Sequence, residues 1–123
     1  MVDSKKIESF EQLIVWQESQ ELAVDIYILT KKFPPDELFA ITNQLRRSAS
    51  SISANIAEGF GRKTHKDKLH FYTMAYGSLL EAKNFLYLSN KLSYLTTLEL
   101  DKILQRCATC QKLINGSKRS LSQ

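Results

Sequence analysis

The chain is poor in the residues that punctuate a fold. It has 4 glycines and 2 prolines in 123 residues, too few for a β-sandwich that turns every few residues. No apolar run approaches the roughly 18 residues needed to cross a bilayer as a helix. The first residues, MVDSKKIESFEQ, hold no hydrophobic signal core. The two cysteines, Cys107 and Cys110, are three apart, and a single C-x-x-C lacks the second ligand pair of a structural zinc site. A redox pair would sit where a strand meets a helix N-terminus, whose dipole lowers the thiol pKa; this one lies inside a helical pattern. The expectation is two buried free thiols in a reducing compartment. His65 and His70 are five apart, which is wrong for two metal ligands on one helical face. No catalytic residue, cofactor or metal site is assigned.

What is present describes a folded chain. Hydrophobic residues make up 43% and charged residues 24%, a globular rather than a disordered balance. At 14.1 kDa there is room for one domain, residues 1–123. The net charge of +4 is unevenly spread. Residues 1–40 are acid-rich. Residues 41–70 hold six basic side chains against two acidic, and residues 102–123 hold five basic and none acidic. Such asymmetry marks either a solvated helix face with a loose basic tail or a surface for an anionic partner.

Four segments carry helical periodicity, each with its own start signal. Ser9 and Gln12 form a capping-box pattern ahead of a helix over about 10–32, which Phe33-Pro34-Pro35 ends. Pro35, with Asp36 and Glu37 behind it, opens a second over 35–59. Gly59-Phe60-Gly61 stops it. Thr64 and Asp67 open a third over 65–92. Thr96 and Glu99 open a fourth over 97–115, closed by Asn115-Gly116. The ends, 1–8 and 117–123, read as loose. Short connections between long helices give an antiparallel up-down-up-down four-helix bundle. The third helix is apolar nearly all round: Leu69, Phe71, Tyr72, Met74, Leu80, Leu88 and Leu92 face several directions. One bundle of this size does not bury a helix on every side, so part of it is expected to meet another subunit.

The second helix holds a polar stripe beside its apolar one: Gln44, Arg47, Ser51, Asn55 and Glu58, at spacings of three and four. It reads as a register-fixing polar network or as a ligand groove. Antiparallel pairing about the 60–64 loop sets Gly77 opposite Arg47 and Ser48. On that register the helices touch closely there, Glu81 reaches Arg46 or Arg47, and Gly77→Leu overpacks the contact.

FEQLIVW at Phe10–Trp16, Phe33-Pro34, QLRR at Gln44–Arg47, SISANIAEG at Ser51–Gly59, Arg62, and AYGS at Ala75–Ser78 with Glu81 resemble the four-helix-bundle family encoded in intervening sequences of bacterial 23S rRNA genes. The similarity covers about residues 9–115. Family members often carry proline where this chain has Ser53, so the kink of relatives is not expected here. The resemblance implies a cytoplasmic bacterial protein with no established enzymatic activity. It also implies kinship with the accessory variability protein of diversity-generating retroelements, a basic pentameric barrel that engages nucleic acid and a reverse transcriptase. Matching motif positions are Gln44, Arg46, Arg47, Asn55, Glu58, Gly59, Arg62, Gly77, Ser78 and Glu81.

The expectation is a homo-oligomer, pentameric by resemblance, whose basic surface contacts RNA or DNA phosphates without reading sequence. Candidate contacts are Arg46, Arg47, Arg62, Lys63, Lys66 and Lys68, with Lys112, Lys118 and Arg119 as a second group set apart. His65 and His70 either join at low pH or are simply solvated. The alternative is a protein–protein scaffold with no nucleic-acid role. Pairing with arginine explains Glu58 and Glu81 more simply than acid–base catalysis does.

Overall fold

The computed structural model describes residues 6–122. The expected loose ends at 1–5 and 123 lie outside these residues. The described residues form four long α-helices and no strand: α1 (Ile14–Thr30), α2 (Ile41–Phe60), α3 (His65–Lys91) and α4 (Thr97–Leu121). Each helix packs on its chain neighbours and α4 closes the square against α1, which leaves α1 and α3 diagonally opposed. α3 is about 40 Å long at 1.5 Å per residue. The core runs along the axis through Leu22, Ile26, Leu45, Ile52, Ile56, Leu79, Leu86 and Ile114, all fully buried.

Two helices start later than the sequence pattern implies. The Ser9–Gln12 signal caps a separate 3-10 turn, Phe10–Gln12, and Leu13 then adopts an extended conformation before α1 begins. The Gln12 carboxamide oxygen accepts from the Glu8 and Ser9 N–H groups, while Phe10 packs edge-on against Trp16 at 5.1 Å. Pro35 likewise opens only a 3-10 turn, Pro35–Glu37. The backbone breaks at Ala40, and α2 starts at Ile41. The Thr64 cap and the full Thr96–Glu99 capping box stand where expected. The fourth helix does not stop at Asn115-Gly116. It continues six residues, because Leu121 lies two turns beyond Ile114 and is half-buried against the core. A helical glycine costs only about 1 kcal/mol, less than burying a leucine gains.

The α2–α3 register is displaced by more than a turn. Ser78 Oγ donates to Ser51 Oγ at 3.0 Å, and the place of close approach is Gly59, where a Cβ would stand 2.9 Å from Phe71 Cβ. The first turn of α3 overhangs the end of α2, which symmetric pairing about the loop does not anticipate. Gly77 therefore faces open space, and a methyl group there would meet nothing within 4 Å. The expected overpacking at Gly77 does not hold.

Cys107 and Cys110 are free and fully buried. Burial pushes the Cys107 thiol up to about 12, with Cys110 beside it adding to the rise. Burial also raises Cys110 to about 11, against a hydrogen bond with Ser19 that lowers it. Both stay protonated in the fold. The unfolded chain loses these protons near pH 8.5, so their stabilising contribution is complete below that pH and is lost as pH rises toward 11–12. Unfolding free energy measured in urea should fall above pH 9 by up to about 1.4 kcal/mol per pH unit per thiol. Cys107→Ala should flatten that decline. An equally steep decline in Cys107→Ala would show that the thiols are not its source.

Candidate nucleic-acid interface

The basic residues gather where α2 ends, α3 begins and α4 ends. Gly61 closes α2, and Thr64 starts α3 by accepting from the Asp67 N–H at 3.1 Å. Lys68 reaches back to donate to the Phe60 carbonyl at 2.7 Å, satisfying one of the open carbonyls of α2. Its ammonium also lies 5.3 Å from the Phe60 ring. Arg62 stacks over Phe71 at 4.4 Å and stands 3.9 Å from Glu58, an exposed pair of little energetic weight. Lys118 lies over Tyr76 at 4.9 Å.

Because α4 runs antiparallel to α3 and past Gly116, Lys112, Lys118 and Arg119 come to this same end. They do not form the separate group expected from sequence. Lys68 and Lys112 line one cleft of about 480 Å³. Lys63, Lys66, Lys112, Lys118 and Arg119 have no ion-pair partner within 4.0 Å among the described residues. The charge here is thus free to act outward.

Arg46 and Arg47 are not part of this group. They sit about 20 Å back along α2, at 1.5 Å per residue. Arg46 turns toward α1: its Nε donates to Thr30 Oγ1 at 2.8 Å and its guanidinium lies 5.0 Å from the Tyr27 ring. Arg47 is exposed. The expected contact of Glu81 with either arginine is absent. Glu81 is exposed and pairs with no cation within 4.0 Å among the described residues, since Arg46 is held on the other side of α2.

The polar stripe of α2 is mostly a packing device. Asn55 is buried and donates to the Ser51 carbonyl at 2.9 Å and to Ser51 Oγ at 3.0 Å, and Ser51 is tied in turn to Ser78. Gln44 and Glu58 remain at the surface. Ser53, at the position where relatives carry proline, accepts from Gln20 Nε2 at 2.9 Å and α2 runs unbroken through it. Among the described residues no three His, Cys, Asp or Glu side chains gather as a metal site requires, and no helix is long and apolar enough to cross a membrane.

Reading the sequence missed Tyr72, Ser117 and Ser120, which line the cleft with Phe60. Burial raises the Tyr72 phenol above its usual value. The available signal was Leu121, seven residues after Ile114, which continues the apolar stripe of α4 through the supposed tail.

The family model for the 23S rRNA-intervening sequence protein matches residues 11–116. The chain belongs to that family. The match spans all four helices and stops just inside the last turns of α4. Among solved structures, a family member is similar in fold: a Bacteroides thetaiotaomicron protein described as of unknown function, from the S23 ribosomal protein family. It is 25% identical, with a TM-score of 0.77, over 85% of this chain and 98% of that one. No curated protein matches. As a family member the chain thus shares a four-helix bundle with a relative whose function is itself unknown.

Proposed function

We propose that this 23S rRNA-intervening sequence protein is a cytoplasmic, non-enzymatic homo-oligomer that binds RNA or DNA without reading sequence. The observation that carries the nucleic-acid reading is the gathering of Arg62, Lys63, Lys66, Lys68, Lys112, Lys118 and Arg119 at one end of the bundle, most of them free of ion pairs. Only Glu58 and Asp67 stand among them on α2 and α3. Phosphate contacts from such a surface give salt-sensitive affinity that does not depend on sequence.

Assembly is supported by two bare apolar faces. Met74, Leu80, Tyr87, Leu88 and Leu92 on α3 are each 42–48% exposed, and Val24, Tyr27 and Ile28 on α1 are at least as open. Gly77 lies within the α3 face and leaves room for a neighbour. α1 and α3 are diagonal, so an isologous dimer through one face leaves the other bare. A head-to-tail contact covers both and closes as a ring, with five subunits by family resemblance. A second reading, a scaffold for another protein, is favoured by Phe39. Its ring is 91% exposed at the opposite end of the bundle, beside the half-exposed Leu38.

Sedimentation and filter binding test the proposal. The wild type should sediment as a closed oligomer, and Leu80→Glu with Leu88→Glu should sediment near the 14.1 kDa of one chain with its helicity retained. A folded wild-type monomer would overturn the ring. Unrelated RNA and DNA should bind at low salt and release as salt rises. Absence of binding at low salt would overturn the nucleic-acid reading, and capture of a protein under high salt, indifferent to nuclease, would favour the scaffold.

A further inference from the structure

We propose that the cleft between the ends of α2 and α4 and the start of α3 takes a single phosphate-bearing nucleotide unit, free or as part of a strand. For its ligand this rests on the nucleic-acid reading above, and it assigns that reading a discrete seat. The cleft measures about 480 Å³, within the size range of small-molecule sites. No acidic side chain lines it. Lys68, Lys112, Tyr72, Ser117 and Ser120 supply donors, while Phe60, Leu113 and Leu121 supply apolar wall.

Tyr72 is the decisive residue. It is only 6% exposed, yet its hydroxyl has no hydrogen-bond partner among the described residues, and it is not among the polar atoms sealed from solvent. The little surface it keeps includes an O–H at the wall of this cleft. A buried phenol normally finds a partner, and here none is supplied by the chain. Ser117 and Ser120, three apart on one face of α4, make no side-chain hydrogen bond either, in contrast to Ser122, which bonds the Lys118 carbonyl. Lys68 gives one of its three N–H donors to Phe60 and keeps the others. Donors of this number, with no acceptor side chain among them, suit the strong acceptor oxygens of a phosphate better than a carboxylate with two. The apolar wall suits a ribose and base.

The backbone opposes an anion only weakly. The C-termini of α2 and α4 each present about half a negative charge, and the N-terminus of α3 returns about half a positive one. Against this stand the seven cations of this end, offset by Glu58 and Asp67 alone on α2 and α3. The local field therefore favours a phosphate.

The test uses the full chain, adenosine 5′-monophosphate, adenosine, inorganic phosphate and a labelled single-stranded 12-nucleotide RNA. Calorimetry should find one monophosphate per chain, bound at least tenfold more tightly than adenosine or phosphate, and the monophosphate should displace the RNA. Tyr72→Phe should weaken the monophosphate about fivefold, the effect of one hydrogen bond, without lowering the melting temperature, because that hydroxyl supports nothing in the fold. Lys112→Gln should weaken it similarly. If RNA binds in a salt-dependent way but the monophosphate neither binds nor competes, or Tyr72→Phe is without effect, the cleft is overturned and the surface reading stands. If the monophosphate binds with these sensitivities and RNA does not, the cleft stands and the strand reading falls. If neither binds at low salt, both fall.

Discussion

Gly59→Ala should destabilise the protein by about 1–3 kcal/mol, the usual range for overpacking a tight contact. The Gly59 methyl would stand 2.9 Å from Phe71 Cβ and 3.4 Å from the Tyr72 ring. A Cβ cannot swing aside as the end of a flexible side chain can, so α2 and α3 must separate. Separation stretches the Ser51–Ser78 hydrogen bond and loosens the core at Ile56 and Ala75. This loss outweighs the gain of about 1 kcal/mol that alanine brings to a helix interior. Gly59→Leu should lose considerably more. Gly77→Ala is the internal control: with nothing within 4 Å of its methyl, only the helix gain remains, and stability should rise by about 1 kcal/mol. Urea unfolding of the three variants at one protein concentration measures all of this. A Gly59→Ala protein more stable than wild type would mean that the close approach is not where the structure puts it.

Replacing Arg62, Lys63, Lys66 and Arg119 together by glutamine should cut affinity for single-stranded RNA by about a thousandfold at low salt. The physical cause is counterion release. Each phosphate contact on a single strand contributes about −0.7 to the slope of log affinity against log salt. Seven contacts give a slope near −5, and the three that remain give about −2, by the same rule. Lys68 and Lys118 are left in place because they also hold the Phe60 carbonyl and the Tyr76 ring. The four removed side chains are exposed, and the one ion pair among them is the long Arg62–Glu58 contact, so the melting temperature should barely move. Arg47→Gln, about 20 Å along the bundle, should leave the slope of the basic end intact. Filter binding from low to high salt reads both quantities. An unchanged slope in the fourfold variant would show that these residues do not meet phosphates.

Local chemistry carried much of the fold into the sequence. The Thr64 and Thr96 caps, the apolar stripes of α2 and α4 and the excess apolar surface of α3 are all properties of residues three and four apart, which periodicity reports directly. Burial of Cys107 and Cys110 follows the same logic. The signals that misled were also local. Ser9–Gln12 and Pro35 do start helical turns, but 3-10 turns of three residues, and a capping pattern does not say how long its helix will be. Asn115-Gly116 has the chemistry of a stop, yet Leu121 packs on the core and carries α4 onward.

The sequence by itself determined that this is an all-helical bundle with an uneven charge and more apolar surface on α3 than one copy buries. It did so because helix faces and net charge depend on neighbouring residues alone. Only the tertiary structure decided that Gly59 rather than Gly77 is the place of closest approach, that Arg46 turns toward Thr30 and away from Glu81, and that residues 112–119 join residues 62–68 at one end. Those outcomes depend on how far one helix slides along another. Slide is fixed by the packing of particular side chains, here Phe71 and Tyr72 against a glycine, and not by any repeat along the chain.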